Sequence, residues 1–438
     1  MTTLISLIIV LIIVVIASAK YKLHPFISLL LASIVIGFLS GLESTVIIES
    51  IEKGFGDTLK SIGLIIVFGA IIGQYLEKSG GTKKIAETLL GMIGEKKSPL
   101  VMNLTGFIVS IPVFCDSGFI ILSSLNKAIS KKTGISLAVL SVALATGLYA
   151  THVFVPPTPG PLAAAAALGA DIGLVIVLGL VVAIPSALAG LFWAKSFAKK
   201  FKIVPDTDEP QNDDRVLPST PLSFAPVMIP IILIACKSIA NYPSTPFGEG
   251  IIYKVIDFTG DPFIALFSAV FISFFLKRKR STSHNSWISD GLKNAGVIIL
   301  ITGAGGAFGN VLRTTDLGEY LGHTLSNWNA GLLLPFMIAA LLKTSQGSST
   351  VAIITTAAIV SPLLGPLEMD GETAKALTVL AIGAGAMTVS HINDSYFWVV
   401  SQFSNMDTPT ALKTHTIATL LQGVFGMIII LLLSLILL

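Results

Sequence analysis

Two carboxylates, Asp116 and Asp394, interrupt stretches that are otherwise apolar or merely hydroxylic. Asp116 lies in Ile111-Pro112-Val113-Phe114-Cys115-Asp116-Ser117-Gly118, and Asp394 in Ser390-His391-Ile392-Asn393-Asp394-Ser395-Tyr396. Burial disfavours the charged form of a carboxyl group, which suits such a residue to taking up and releasing a proton. The competing roles are structural: capping a half-helix for Asp116 and making a local turn for Asp394. His152 and His391 join them as proton-coupling candidates, because an imidazole titrates at about 6.5. A lone helical histidine is more often a structural hydrogen-bonding group, but Thr151-His152 and Ser390-His391 occupy matching interruptions in the chain. His323 has no such match.

The second kind of chemistry is anion recognition. Arginine is scarce, with only Arg215, Arg278, Arg280 and Arg313, none well inside an apolar run. A bidentate arginine clamp is therefore not expected. Backbone N–H groups at a helix start carry partial positive charge and bind anions. The cluster Ser345, Gln346, Ser348, Ser349 and Thr350 offers such a tip with hydroxyls, and Ser117 with Gly118 offers another. Thr158, Gly160, Asn393 and Ser395 are expected to face a solute's hydroxyls from two further interruptions. Hydroxyls of this density also satisfy unpaired backbone in lipid, and the two roles are compatible. The motifs H-E-x-x-H and G-x-S-x-G are absent, so an intramembrane enzyme is disfavoured. Cys115 and Cys236 give neither a disulfide framework nor metal-ligand spacing, and no cofactor or metal is expected.

These residues need elements to hold them, and composition says the elements are in a membrane. Of 438 residues, 53% are hydrophobic and 12% charged, about half the charged share of soluble domains. Apolar runs of about 20 residues suffice to cross a bilayer. They begin at Leu4, Pro25, Lys60, Gly134, Ile172, Pro221, Pro262, Leu292, Ala374 and Ile417. The first is read as a retained helix and not a signal peptide, since no Lys or Arg precedes Lys20. Basic residues fall in alternate loops: Lys20 and Lys22; Lys78 to Lys97; Lys127, Lys131 and Lys132; Lys195 to Arg215; and Lys277 to Arg280. The positive-inside rule places these loops in the cytoplasm, with both termini outside it. A chain of this kind is expected in the cell inner membrane, without nucleic acid as a partner; a homodimer is left open.

Four interruptions punctuate the runs. Those at 111–118 and 343–350 each split an apolar stretch into arms of about 13 residues, too short to span and suited to a re-entrant hairpin. Those at 149–161 and 390–396 break helices. The first has four prolines within 156–161, which a regular helix does not continue through. The second is polar enough to be costly unless it lines a cavity. The features occur twice in the same order, with Gly63-Leu64-Ile65-Ile66 matching Gly296-Val297-Ile298-Ile299. The expected fold is an all-α polytopic membrane protein of two inverted repeats. Each would have five transmembrane helices and one re-entrant hairpin, over 1–205 and 218–438 with a cytoplasmic linker at 206–217. Inverted repeats with broken helices are the anatomy of a secondary transporter.

Pro112-Val113-Phe114-Cys115-Asp116-Ser117-Gly118-Phe119, Val155-Pro156-Pro157-Thr158-Pro159-Gly160-Pro161, Thr302-Gly303-Ala304-Gly305-Gly306-Ala307-Phe308-Gly309, Ser345-Gln346-Gly347-Ser348-Ser349-Thr350-Val351-Ala352 and Ser390-His391-Ile392-Asn393-Asp394-Ser395-Tyr396-Phe397-Trp398 resemble the gluconate permease family of the ion-transporter superfamily. The resemblance runs over nearly the whole chain with the motifs in order. It implies proton-coupled uptake of gluconate or a related hydroxy-acid, some members taking D-serine. Members that carry gluconate often place His where this chain has Thr158, which keeps shorter acids such as hydroxybutyrate or glycerate open. The expected activity is proton-coupled symport of a small hydroxy-carboxylate. Sodium coupling is the alternative within the class, and a passive channel the alternative outside it.

Overall fold

The computed structural model describes residues 21, 23–205, 216–241, 248, 250–276, 284–315, 331–392 and 394–438. The expected first helix from Leu4, most of the linker at 206–217, the basic cluster from Lys277, His323 and Asn393 lie outside the described residues. Among those described, the chain is helical with no strand. Six helical segments are long and apolar enough to cross a membrane, or seven if one bent pair counts as a single span.

The first half runs through α1 (Pro25–Leu39), α2 (Ser44–Ser79), α3 (Gly81–Ile93), α4 (Ser98–Val109), α5 (Cys115–Thr133), α6 (Leu137–Phe154), α7 (Pro159–Leu168) and α8 (Ile172–Ser196). The second runs through α9 (Thr220–Ala240), α10 (Ile251–Thr259), α11 (Pro262–Phe274), α12 (His284–Thr314), α13 (Leu333–Gln346), α14 (Ser349–Val360), α15 (Glu372–Met387), α16 (Ser395–Phe403), α17 (Thr408–Ala411) and α18 (Ile417–Leu437). Helices α10 and α11 form the bent pair, turning by 67°. The runs expected to start at Lys60 and Leu292 belong to longer helices, α2 and α12, because flanking polar residues continue the helix past the apolar stretch. Counting runs also gives full weight to α1, α11 and α15, which are only 15, 13 and 16 residues long.

Two helices make the centre. Every residue of α6 is buried, and α15 is buried from Ala376 to Met387. Both are rich in Ala, Gly, Val and Leu around their whole circumference, the composition of a helix with no solvent face. Small residues let neighbours approach closely. Gly147 of α6 lies against the Asn103 backbone of α4, and Gly385 of α15 against the Phe336 backbone of α13; a Cβ at either position would overlap a carbonyl oxygen. The Asn103 side chain reinforces the first contact, donating to Ala143 O at 3.0 Å and Ala187 O at 3.3 Å and so tying α4 to α6 and α8. Helix α8 packs on α6, α18 packs on α15, and the long helices α2 and α12 pack along each other.

All four interruptions seen in the sequence are breaks in the structure. A turn at 110–114 separates α4 from α5, and Val155 to Thr158 separate α6 from α7. Gly347, at φ 83°, separates α13 from α14; this left-handed conformation is costly for residues with a Cβ. Thr388 to Asp394 separate α15 from α16. A π-helical turn at Leu412–Thr416, absent from the sequence expectations, leads into α18. Single π turns often mark functional positions.

Candidate functional site

A cavity of about 430 Å³ opens where three of the four breaks meet. The start of α5 contributes Cys115, Asp116 and Ser117, with Phe114 before it. The start of α14 contributes Ser349, Thr350 and Val351, with Ser348 before it, and the α15–α16 break contributes Asp394, Ser395 and Tyr396. His152 reaches it from the last turn of α6, and Lys293, Asn294 and Ile301 wall it from α12.

Each helix start is organised by its own sequence. Ser348 caps α14, its Oγ accepting from Val351 N at 3.3 Å. Asp394 caps α16, its Oδ1 accepting from Tyr396 N at 3.1 Å. An N-cap oxygen satisfies backbone donors that the first turn leaves unpaired. At α5, no side chain caps the first turn, and its residues Cys115, Asp116 and Ser117 line the cavity.

The two carboxylates sit in different company. Asp394 is buried, and its Oδ2 accepts from Lys343 Nζ at 2.5 Å and from the Ser390 hydroxyl. Side-chain exposure of this ion pair is 1% for Lys343 and 4% for Asp394. Lys343 also donates to Gly347 O at 2.7 Å and lies 5.8 Å from the centroid of the Tyr149 ring. A buried pair of this kind is sound only when its other valences are satisfied, and here they are. Asp116 has weaker partners: the Ser395 hydroxyl at 3.3 Å and the Cys115 thiol at 3.8 Å. One carboxylate is thus locked and the other is held loosely at the cavity wall.

Behind Asp394 the polar chain continues. Ser390 Oγ lies 3.3 Å from His415 Nε2, and His415 is buried in the π turn. The same turn holds the break itself, Thr416 Oγ1 donating to Ser390 O. His152 stands against Phe114 and Tyr149, with ring centroids 6.4 and 6.5 Å apart. Its Nδ1 is buried with no partner among the described residues.

Asp116, Asp394, His152, Ser117, Ser348, Ser349, Thr350 and Ser395 are therefore brought together. Others among the expected residues are not. His391 faces away, its Nε2 3.1 Å from Thr344 O, so the two histidines of the matching breaks do not share a site. Thr158 is buried outside the cavity and spends its hydroxyl on Val155 O at 2.6 Å. Gly160 is filled against Ile353, and Gly118 against Leu148, as helix contacts. Ser345 bonds back to Leu341 O, and the Gln346 amide has no partner among the described residues and does not line the cavity. Asn393 lies outside the described residues. The expectation that only hydroxyls and helix starts supply positive potential is corrected by Lys343. It closes an apolar run from Leu333 to Leu342, and an ionisable residue in such a run is by default a functional candidate. His415 carried no comparable signal.

The site has room for a small polar solute, and two carboxylates and a histidine stand at its wall. It has no paired nucleophile and base aimed at a common point, and no group of metal-ligating residues occurs among the described residues. Comparison with known proteins identifies the family. Residues 1–436 match the GntP family permeases. The chain is 34% identical to a gluconate permease of Pseudomonas aeruginosa over 95% of its length and 94% of the relative's. It is 35% identical to the D-serine transporter DsdX of Escherichia coli K12 over 96% of both chains. The solved structure of MtrF from Neisseria gonorrhoeae, described as illuminating a class of antimetabolite efflux pumps, superposes with a TM-score of 0.62 at 14% identity, over 88% of this chain and 83% of that one. At that identity the likeness concerns fold alone. The chain is a multi-pass membrane transport protein, not an enzyme, and it belongs to the GntP permease family.

Proposed function

We propose that this permease carries gluconate or a related small hydroxy-carboxylate into the cell by symport with protons, in the inner membrane. The observation that carries the reading is the pairing of an anion-suited cavity with two carboxylates in unequal environments. The relatives named above take gluconate and D-serine, which share a carboxylate beside hydroxyl or amine groups. A volume of about 430 Å³ sits in the lower part of the range for small-molecule pockets. The helix starts at Ser117 and at Ser348 to Thr350 supply N–H groups and hydroxyls for the carboxylate, and Ser395 with Asn393 would read the solute's hydroxyls.

In this reading Asp116 is the proton carrier and Asp394 is not. Lys343 pairs with Asp394 and holds it in place, so Asp394 positions the α16 start and Ser395. Protonating Asp116 removes a negative charge from the cavity wall, which lets the anionic solute enter; the pair then crosses as one. Asp394, Lys343, Cys115, His152, Lys293 and Tyr396 are the titratable or charged groups around Asp116, and of these Lys293 lies toward the mouth, near Asp290.

Alternating access would come from two inverted halves, 1–205 and 218–438, joined by a linker at 206–217. Packing supports the equivalence: α4 on α6 corresponds to α13 on α15, α6 on α8 to α15 on α18, and α1 on α12 to α11 on α2. The hairpins would be α4–α5 and α13–α14. The cavity is walled by the His284-side half of α12, which follows the basic cluster at Lys277. By the positive-inside rule this end is cytoplasmic, so the conformation is inward-open, and both termini lie outside.

Uptake into proteoliposomes tests the reading. Gluconate, hydroxybutyrate, glycerate and D-serine are offered under an imposed proton or sodium gradient. Accumulation of at least one acid under the proton gradient alone, with counterflow exchange, is expected. Accumulation that needs sodium, or flux without counterflow, would refute proton symport.

A further inference from the structure

A second pocket, of about 220 Å³, lies on the other side of the same helices. Along α12 the first cavity is walled as far as Ile301 and the second begins at Gly305; along α14 the corresponding residues are Ile354 and Ala358. Four residues of helix rise about 6 Å. One helical turn thus parts the two. The partition is tight: Gly305 packs on the Ile354 side chain, and Gly306 on Thr58 and the Gly54 backbone of α2, leaving no room for a Cβ at either glycine.

Arg313 lines this second pocket from the end of α12. Its Nη2 donates to Ala167 O at 2.6 Å and to the Ser361 hydroxyl, and its Nε to the same hydroxyl at 3.1 Å. Ser361 in turn donates to Ala167 O at 2.7 Å. The guanidinium is therefore fixed by α7 and the end of α14 through neutral acceptors, and no described carboxylate pairs with it. A guanidinium has five N–H donors in a rigid fork; the two on Nη1 have no protein acceptor among the described residues. Asp57, Thr58, Ser61 and Asn310 supply the rest of the polar lining. An arginine immobilised by neutral groups, with donors left over and facing a pocket, is suited to binding a carboxylate.

We propose that this pocket is an outer receiving site for the carboxylate of the transported acid, held by the Nη1 side of Arg313, in line with the central cavity and closed from it by the Gly305–Ile354 and Gly306–Thr58 contacts. The proposal rests on the reading of the chain as a carboxylate carrier. Asp57 lines the same pocket and opposes the anion. Its neutral variant should therefore strengthen binding on this side as loss of Arg313 weakens it.

The test separates the pocket's charge from transport. Ser61→Cys is introduced in the full chain with Cys236→Ser, and right-side-out vesicles are treated with sulfonate-bearing (anionic) or trimethylammonium-bearing (cationic) methanethiosulfonate reagents. The ratio of anionic to cationic reaction rates should fall on the order of tenfold when Arg313→Gln is added, by loss of local anion concentration. Arg313→Lys, which keeps the charge, should retain most of the ratio, and excess gluconate or D-serine should slow labelling. In flux assays Arg313→Gln should raise the half-saturating concentration from outside and leave that from the inside unchanged, and Asp57→Asn should lower the former. An unchanged reagent ratio in Arg313→Gln, or labelling only from the cytoplasmic face, overturns the proposal. Equal effects on both faces also overturn it, because they indicate a structural role. A charge-dependent ratio in a protein that transports none of the four acids, with no slowing by either acid, refutes the carboxylate assignment and the carrier reading together while retaining a cationic pocket.

Discussion

Replacing Lys343 with Met tests the most demanding feature of the site. The side chain fits the same space without its charge, so the packing around Tyr149 survives while Asp394 loses its ionic partner. Both members of the pair are almost wholly buried. Removing one partner of such a pair costs about 3–5 kcal/mol, because the other charge stays buried without compensation. Asp394→Asn strands the lysine in the same way. The double variant Lys343→Met with Asp394→Asn strands neither charge, and replacing a whole buried pair by neutral groups of similar size is often close to neutral. The ordering follows: each single variant is much less stable than wild type, and the double variant is more stable than either. The half-life of the folded protein in detergent at fixed temperature reports this, since membrane proteins of this size commonly unfold irreversibly. Additive losses in the double variant, or a single variant as long-lived as wild type, would show that the pair does not act as a unit and that Asp394 is not locked by Lys343.

Other outcomes follow from the same geometry. Asp116→Asn is expected to abolish proton-driven accumulation while leaving counterflow exchange measurable; accumulation equal to wild type would assign the proton elsewhere. Ser349→Ala, at the α14 tip, should weaken uptake about 5- to 150-fold through apparent affinity, the loss of one buried hydrogen-bond partner at about 1–3 kcal/mol. Thr158→Ala should cost about 1 kcal/mol of stability by losing its bond to Val155 O and should leave the preference among the four acids unchanged, because Thr158 lies outside the cavity. Gly147→Val should destabilise the fold by forcing α6 from the Asn103 carbonyl, by about 1–3 kcal/mol or more; wild-type half-life in that variant would contradict the contact.

The breaks were legible because their causes are local. Four prolines within 156–161 stop α6 whatever surrounds them, and Gly347 marks a left-handed turn that few other residues adopt. Asp116 and Asp394 were legible because charge in an apolar run is costly. What was not legible depends on distance in sequence. Lys343 and Asp394 are 51 positions apart, and the register that joins them is set by how α13 packs on α15 through Gly385. The histidines show the same limit more sharply. Thr151-His152 and Ser390-His391 match in sequence, yet the α15–α16 break turns His391 outward to Thr344 O and leaves its place near Asp394 to His415, from a helix that follows. A motif match fixes where the backbone breaks, and the side chains on a broken segment then take directions that only the neighbouring helices decide.

On the proposed reading, that difference in company would give two similar carboxylates opposite tasks. A coupling group must change its charge during the cycle, so its bonds must be weak enough to lose; a positioning group must keep its charge and its bonds throughout. Asp394 accepts from Lys343, Ser390 and the Tyr396 N–H, so giving up its charge means unmaking an ion pair and leaving an ammonium buried. Asp116 accepts from one hydroxyl and one thiol at longer distance, so protonation strands no buried cation. The link between them is Ser395, which bonds Asp116 and begins the helix that Asp394 caps. A solute that recruits Ser395 would take a hydrogen bond from Asp116, and loss of that bond favours the protonated carboxyl. Binding of the acid and binding of the proton would then promote each other through one hydroxyl. By reciprocity, lowering the pH should tighten the solute by the same factor that the solute shifts proton binding. Ser395→Ala is expected to shrink that factor, measured as the ratio of half-saturating concentrations at two pH values. If the ratio in Ser395→Ala equals that of wild type, the coupling does not pass through this hydroxyl and arises from charge neutralisation at Asp116 alone.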